Sequence, residues 1–329
     1  MTCQEMKLQP AFIHIDLDGF WSHLGYYGIS HPVWPDPVYS KAVPLWLEIL
    51  KECNVRATFF VIGIDLSIKE KKAMIKKIYS EGHEIANHSF SHDVPLASLS
   101  KKEKYDEIMK SHKLLGEIAG EPPVGFRAPS FSLDDDLLDI LEDEGYLYDS
   151  SLFASPYGGI VQAILNRTGN KQHKKRSQRK TDTYGKFRWA FAPCYPYKPM
   201  KKCLWKEGNR KIWEVPVTTL PFLKFPFHFS FVLAIRNWSN LVSEWYCGAG
   251  IDFTALCKRP LLYLFHGLEL TDPNWIQMMV FQPGTTVSID SKMEGVYSIL
   301  KRIQSRYEIV CLKDFLKRDA DFPGKATKR

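Results

Sequence analysis

The ten residues His83-Glu84-Ile85-Ala86-Asn87-His88-Ser89-Phe90-Ser91-His92 decide the fold, because they carry a strand into a pair of imidazoles. Upstream, Lys72 to Glu81 has the spacing of an amphipathic helix and Gly82 stops it, so the chain turns and enters a strand at His83. His83 to Ala86 has strand character, which puts both His88 and His92 at a strand exit. Four residues apart, the two rings can reach one cation from a single helical or tight-loop turn. The same pair also suits a plain turn in which each ring caps backbone groups.

A second strand exit lies near the start. Ala11 to Asp18 (AFIHIDLD) reads as a buried strand with a polar end, and residues two apart on a strand project to one face, so Asp16 and Asp18 point together. Neighbouring carboxylates raise one another's pKa unless a cation neutralises one, and the other is then free to act as a base near neutral pH. That division places Asp18 on a metal and Asp16 in proton transfer. Asp-Leu-Asp-Gly is equally ordinary turn chemistry at a loop entry. The apolar run LLYLFHG brings a third histidine, His266, to another strand end. Two imidazoles and one carboxylate give a zinc-like ion three protein ligands and leave positions open for water and substrate, as a catalytic site needs.

The rest of the chain keeps a β-then-α rhythm. Strands are expected at Ala11–Asp18, Arg56–Gly63, His83–Asn87, Tyr146–Ser151, Lys211–Val217, Leu261–Phe265 and Glu308–Leu312. Helices are expected around Ser40–Cys53, Ser67–Glu81, Ser100–Ala119, Leu133–Glu144, Ser239–Cys257 and Lys292–Arg306, and Ser100-Lys101-Lys102-Glu103 is a capping-box start. A chain of 329 residues fits one large α/β barrel, so a single domain over 1–329 is expected. In such barrels the C-terminal strand ends build the active site, and Asp18, His88, Arg127 and His266 all fall there.

Five motifs taken in order, RATFFVIG (Arg56–Gly63), HEIANHSFSH, GFRAPSFS (Gly125–Ser132), GYLYDSSLF (Gly145–Phe153) and LYLFHGLEL (Leu262–Leu270), resemble the polysaccharide deacetylase family with the NodB homology fold, the carbohydrate esterase family 4 type. The resemblance spans nearly the whole chain. It implies a distorted (β/α) barrel with a long insertion, Asp16 as general base, Asp18, His88 and His92 as metal ligands, Arg127 orienting Asp16 and stabilising its charge, and His266 as general acid. It also implies that Asp149 supports His266. The chain departs from the family at Asp16-Leu17-Asp18, where many members have adjacent aspartates, and at Arg127-Ala128-Pro129-Ser130-Phe131, where many have Arg-Pro-Pro-Tyr-Gly. Both departures resemble a branch acting on nucleotide- or lipid-linked sugars and cell-surface polysaccharides, so the substrate stays open.

The chemistry so implied is hydrolysis of an N-acyl amide on an amino sugar, with N-acetyl the leading acyl group and Zn2+ the leading metal, Co2+, Ni2+ and Fe2+ being compatible with the same ligands. An amide nitrogen leaves only when protonated, which is why a base alone is insufficient. A deformylase or deacetylase on a lipid-linked amino sugar is the nearest alternative. A metal-independent cyclic-amide hydrolase of the allantoinase kind, or an inert binding module, would sit oddly with a full set of ligands, base, arginine and acid.

The stretch 155–213 breaks the rhythm. Its basic run Lys171–Lys180 and the following FRWAFAPCYPYKP read as a surface insertion near the active face, suited either to an anionic phosphate or lipid headgroup or to plain solvation. Thr218 to Trp238 is apolar and aromatic, but its prolines, Lys224 and His228 are unlike a spanning helix; it packs on the barrel or touches a membrane surface. A net charge of +7 comes with no recognition motif, so nucleic acid is not expected as a partner. Seven scattered cysteines without a CxxC pair suit reduced thiols and buried small apolar groups. Met1–Pro10 lacks a secretory h-region, so a cytoplasmic site, with peripheral contact at the inner membrane face as an option, is expected, and sequons at Asn166 and Asn237 are then silent. Glu269 and Asp272 are candidates to tune His266 or contact substrate, whereas His14 and His83 read as structural.

Overall fold

In the computed structural model, which describes residues 8–26, 35–92, 96–157, 187–275, 284, 286–318 and 322, strand β1 (Gln9–Leu17) is the central strand, buried from its second residue onward. Its two faces differ in kind. Ala11, Ile13, Ile15 and Leu17 meet an outer apolar layer that includes Trp46 and Leu50, while Phe12 joins Phe60, Leu262 and Leu264 in an inner layer. Period-two alternation then places His14 and Asp16 on the same inner side as Phe12.

The strands around β1 are all parallel to it. β2 (Thr58–Val61) follows helices α1 (Phe20–Tyr26) and α2 (Val43–Glu52) and pairs with β1 through His14–Leu17; α3 (Lys69–Ser80) leads to β3 (Glu84–Asn87). After α4 (Lys101–Ala119) the sheet continues through β4 (Gly125–Phe126), α5 (Asp135–Asp143) and β5 (Tyr148–Asp149). A hairpin of β6 (Pro199–Met200) and β7 (Cys203–Glu207) then precedes β8 (Trp213–Glu214), which pairs with β5. Helices α6 (Phe229–Arg236) and α7 (Asn240–Leu256) lead to β9 (Leu261–His266), paired with β1 from Ala11 to Asp16; α8 (Ile289–Gln304), β10 (Tyr307–Ile309) and α9 (Leu312–Arg318) follow. Beyond β8 the Thr218 N–H donates to the Leu262 carbonyl at 3.2 Å and the Leu262 N–H to Thr218 Oγ1 at 2.8 Å, drawing the far edge back to β9. The result is a curled, mostly parallel sheet with helices outside it, the distorted (β/α) barrel anticipated from the sequence.

Local chemistry explains the helix ends. Ser100 caps α4 in a complete capping box with Glu103, and Gly120 ends it at φ 71°. Asp134, Ser239 and Ser288 cap α5, α7 and α8 through their side-chain oxygens. Among the described residues, α1, β4, α6, α9 and the hairpin were not expected from the sequence. The last strand was expected at Glu308–Leu312, but Leu312 opens α9 instead.

The described half of the insertion is anchored rather than solvated. Arg210 donates to Asp135, Asp139 and Glu142 of α5 at 2.8, 2.6 and 2.7 Å, and Trp189, Tyr197 and Leu204 are buried against Leu137 and Leu141. Three carboxylates on one helix face attract the single guanidinium, and the aromatics fill the space behind it. The run Lys171–Lys180, Asn166 and Cys3 lie outside the described residues. Phe227, Phe229, Val232 and Leu233 of the apolar stretch are core, and Cys194, Cys247 and Cys311 are buried. Among the described residues no helix is long and apolar enough to cross a membrane.

Candidate active site

The ends of β1, β3, β4 and β9 deliver the polar residues to one place. Asp16 and His266 are register partners on β1 and β9, so their side chains emerge side by side, with His266 Nε2 3.9 Å from Asp16 Oδ2. Asp18, just past β1, faces His88 Nε2 at 3.4 Å and His92 Nε2 at 3.5 Å through the same oxygen, Oδ1.

The His88–His92 loop is not helical. Ser89 and His92 adopt φ values of 63° and 54°, and the turn is held by the Glu107 carboxylate, which accepts the N–H groups of Phe90 (3.2 Å) and Ser91 (2.9 Å). The Ser89 N–H donates to Asn87 Oδ1, while the Gly63 and Ile64 N–H groups donate to the Ser89 and Phe90 carbonyls. A Cβ on Gly63 would stand 2.8 Å from Ser111 and 2.9 Å from Phe90, so this close approach needs glycine. The i, i+4 spacing was therefore informative about convergence and silent about the left-handed backbone that achieves it.

The donor set fits a divalent cation. Asp18, His88 and His92 ligand atoms lie within 4.8 Å of one another, and the buried Asp18 Oδ1 has no hydrogen-bond partner. His88 Nδ1 donates to the Arg127 carbonyl at 2.7 Å, which leaves the Nε2 lone pair directed at Asp18, the arrangement of a metal-ligating imidazole held by an outer carbonyl. Burial holds the His92 pKa down to about 4, keeping that ring neutral and its Nε2 lone pair available to a cation. His23, on α1, lies 4.0 Å from Asp18 Oδ2 and was not foreseen; it comes from a helix the sequence reading missed.

Arg127 is buried and fully engaged. Nη1 donates to Asp16 Oδ1 at 2.5 Å, Nη2 to His14 Nδ1 at 2.9 Å and to Ser150 Oγ at 2.8 Å, and Nε to the Ser150 carbonyl at 2.9 Å, with the guanidinium 4.2 Å above the Phe60 ring. His14 is thus a neutral acceptor whose pKa is driven well below normal by burial and by Arg127, a structural role as expected. His83 likewise accepts the Ala57 N–H at 3.2 Å, and burial depresses its pKa to about 4.

The carboxylate beside His266 is Glu269, not Asp149. Glu269 Oε1 lies 3.3 Å from His266 Nδ1, Oε2 accepts the His266 N–H at 2.8 Å, and Ser230 of α6 bonds both groups. Burial opposes the imidazolium, but Glu269 with Asp16 and Asp18 outweighs it and raises the pKa to about 9. Asp149 instead accepts from Ser151 Oγ at 2.6 Å and pairs with Glu214, its register partner on β8. That corrects the expected Asp149–His266 contact: Asp149 is committed to the neighbouring strand, whereas Glu269 reaches His266 from the next turn of its own chain. Ser151 passes the order on, accepting the Ala128 N–H at 2.7 Å beside Arg127. Asp272 accepts the Asn274 N–H at 2.8 Å within its own loop.

Residues 35–148 match the sequence profile of the polysaccharide deacetylases. Over those residues, about a third of its length, the chain is similar to that family. A peptidoglycan deacetylase of Helicobacter pylori is 30% identical over 150 residues, which cover 44% of this chain and 49% of that protein. A peptidoglycan-N-acetylglucosamine deacetylase of Bacillus cereus is 32% identical over 112 residues, covering 34% and 49%. The chain thus spans about half the length of these curated relatives. The crystal structure of a candidate polysaccharide deacetylase from Mycobacterium smegmatis superposes with a TM-score of 0.59 at 16% identity, over 97% of this chain and 92% of that one, and shares the fold. Within the family profile lie His88, His92 and Arg127, while Asp16, Asp18 and His266 fall outside it.

Proposed function

We propose that this chain is a metal-dependent hydrolase that removes an N-acetyl group from an amino sugar in a polysaccharide or glycoconjugate. The observation that carries this reading is the meeting of Asp16, held by Arg127, with His266, held by Glu269, beside the Asp18–His88–His92 donor set. A divalent ion on those three donors, zinc being the leading choice, would supply Lewis-acid polarisation of the acyl carbonyl and of water.

The chain's own groups supply the proton transfers. Arg127 engages Asp16 Oδ1 and leaves Oδ2 on the His266 side, so Oδ2 is the oxygen that takes a proton from attacking water. His266 turns Nδ1 to Glu269 and Ser230, which leaves Nε2 to protonate the departing nitrogen. With a pKa of about 9, His266 holds that proton at neutral pH. His266 Nε2 and Asp16 Oδ2 are 3.9 Å apart, so one amide and its attacking water can meet both.

The curated relatives named for peptidoglycan and for N-acetylglucosamine support an N-acetylated amino sugar as substrate class. The assembled ligand set weighs against a metal-independent cyclic-amide hydrolase, and the intact base and acid weigh against a binding module. Acetate release from N-acetylglucosamine oligomers and peptidoglycan fragments, assayed for wild type and His266→Ala with zinc present, tests the reading. Turnover that collapses in the variant supports it; equal turnover in both, or no acetate from any of these substrates, removes it.

A further inference from the structure

α7 carries an apolar face that no described element covers. Trp245 is 71% exposed, Leu256 79%, Val242 51% and Phe253 42%, and Trp238, just before the helix, is 92% exposed. These residues are not scattered. Val242, Trp245, Phe253 and Leu256 sit seven before, four before, four after and seven after Ala249, which is itself exposed. At about 100° per residue all four project within roughly 40° of Ala249, forming one straight stripe.

The stripe is a palindrome in size: medium, large, small, large, medium. A two-fold axis at Ala249 would lay Trp245 of one copy beside Phe253 of the other and Val242 beside Leu256, with the small alanines at the crossing where the backbones come closest. That self-matching is what an isologous contact requires. Trp238, eleven residues before Ala249, would come level with Lys258 and Arg259, nine and ten residues after it, setting cations against an indole face. The acidic residues at the rim bring no like charges together unpaired, since Glu244 is held by Arg236 at 3.2 Å and Asp252 by Arg306 at 3.0 Å.

The same rim separates two possible occupants. A helix that lies on an anionic lipid surface has a lysine- and arginine-rich border, whereas α7 itself carries no lysine or arginine and its own charged residues are Glu244 and Asp252, with Lys258 and Arg259 only past its end. With Leu241, Phe222 and Leu223, which are exposed alongside, the apolar surface amounts to on the order of 1,000 Å² per copy, more than the few hundred Å² usual on a monomer and comparable with one side of a stable interface. Phe222 meets Phe253 at an interplanar angle of 48° with ring centroids 6.1 Å apart, which joins that loop to the stripe.

We propose that α7 is the contact of a two-fold homodimer in which two copies of the helix cross antiparallel at Ala249. Sedimentation equilibrium of the full chain at micromolar concentration gives twice the chain mass, and Ala249→Arg gives a single-chain mass with an unchanged far-ultraviolet circular dichroism spectrum. Ala249→Cys places the new thiols against each other on the axis, so mild oxidation converts most of that variant to a covalent dimer, while Lys113→Cys on the distant α4 yields none beyond the wild-type background. The cysteine variant decides the matter even if the arginine variant folds poorly. A monomeric wild type, or cross-linking of Ala249→Cys no greater than that of Lys113→Cys, overturns the proposal; a monomer that sediments with anionic vesicles and loses this in Trp245→Ala assigns the stripe to lipid instead.

Discussion

Asp16 has one carboxylate oxygen on Arg127 and the other toward His266, and this asymmetry makes it the proposed base. Asp16→Asn keeps the shape and removes the basicity, so kcat/KM for acetate release is expected to fall by about 10²- to 10⁴-fold while metal content stays at the wild-type level. A parallel loss of metal would show that Asp16 is a ligand instead. Glu269 acts at one remove. His266 must be protonated to serve as acid, so activity declines as pH rises through its pKa of about 9, which Glu269 helps to hold up. Glu269→Gln lowers that pKa toward the ordinary histidine range, and the alkaline limb of the pH–rate profile moves to lower pH. An unmoved limb with reduced kcat would mean that Glu269 only packs. The sequence placed Asp16, Asp18, His88, His92, Arg127 and His266 at strand exits; it could not show which carboxylate meets His266, because Asp149 and Glu269 both stand near polar motifs and only strand order separates them.

Elements deliver these residues, and their ends are where substitutions should show. The loop from β3 holds two residues at positive φ against the Glu107 carboxylate. Glu107→Ala frees that loop, and metal affinity is expected to weaken by about 10- to 100-fold, the usual effect of losing an outer-layer support; isothermal titration with zinc measures it. Ser100→Ala breaks the α4 capping box far from the site, so it should cost about 1 kcal/mol in chemical denaturation with acetate release unchanged. Helices with caps and a continuous apolar stripe were legible within a few residues, as α4 and α7 illustrate. α1 was not, since FWSHLGY offers only about two turns, and α6 was hidden because FSFVLAIR is mostly apolar and reads equally as strand or membrane contact.

At the scale of the whole molecule, parallel pairing around β1 gathers the candidate catalytic groups at one barrel end. Phe12, Phe60, Leu262 and Leu264 fill the layer below His14 and Asp16, while buried Glu84, at the start of β3, accepts from Thr58 and Tyr148 on the other side. The β-then-α rhythm made that architecture readable from the sequence. The path of 187–212 was not readable, because its anchor is Arg210 meeting three carboxylates of a helix some seventy residues earlier in the chain. The proposed chemistry rests on a divalent ion held by Asp18, His88 and His92. The most direct measurement is the metal content of the purified protein after zinc supplementation and removal of free ion, beside Asp18→Ala and His88→Ala. About one ion per chain is expected in wild type and loss of it in both variants; wild type that retains no ion, or variants that retain as much as wild type, would overturn the assignment of these three ligands.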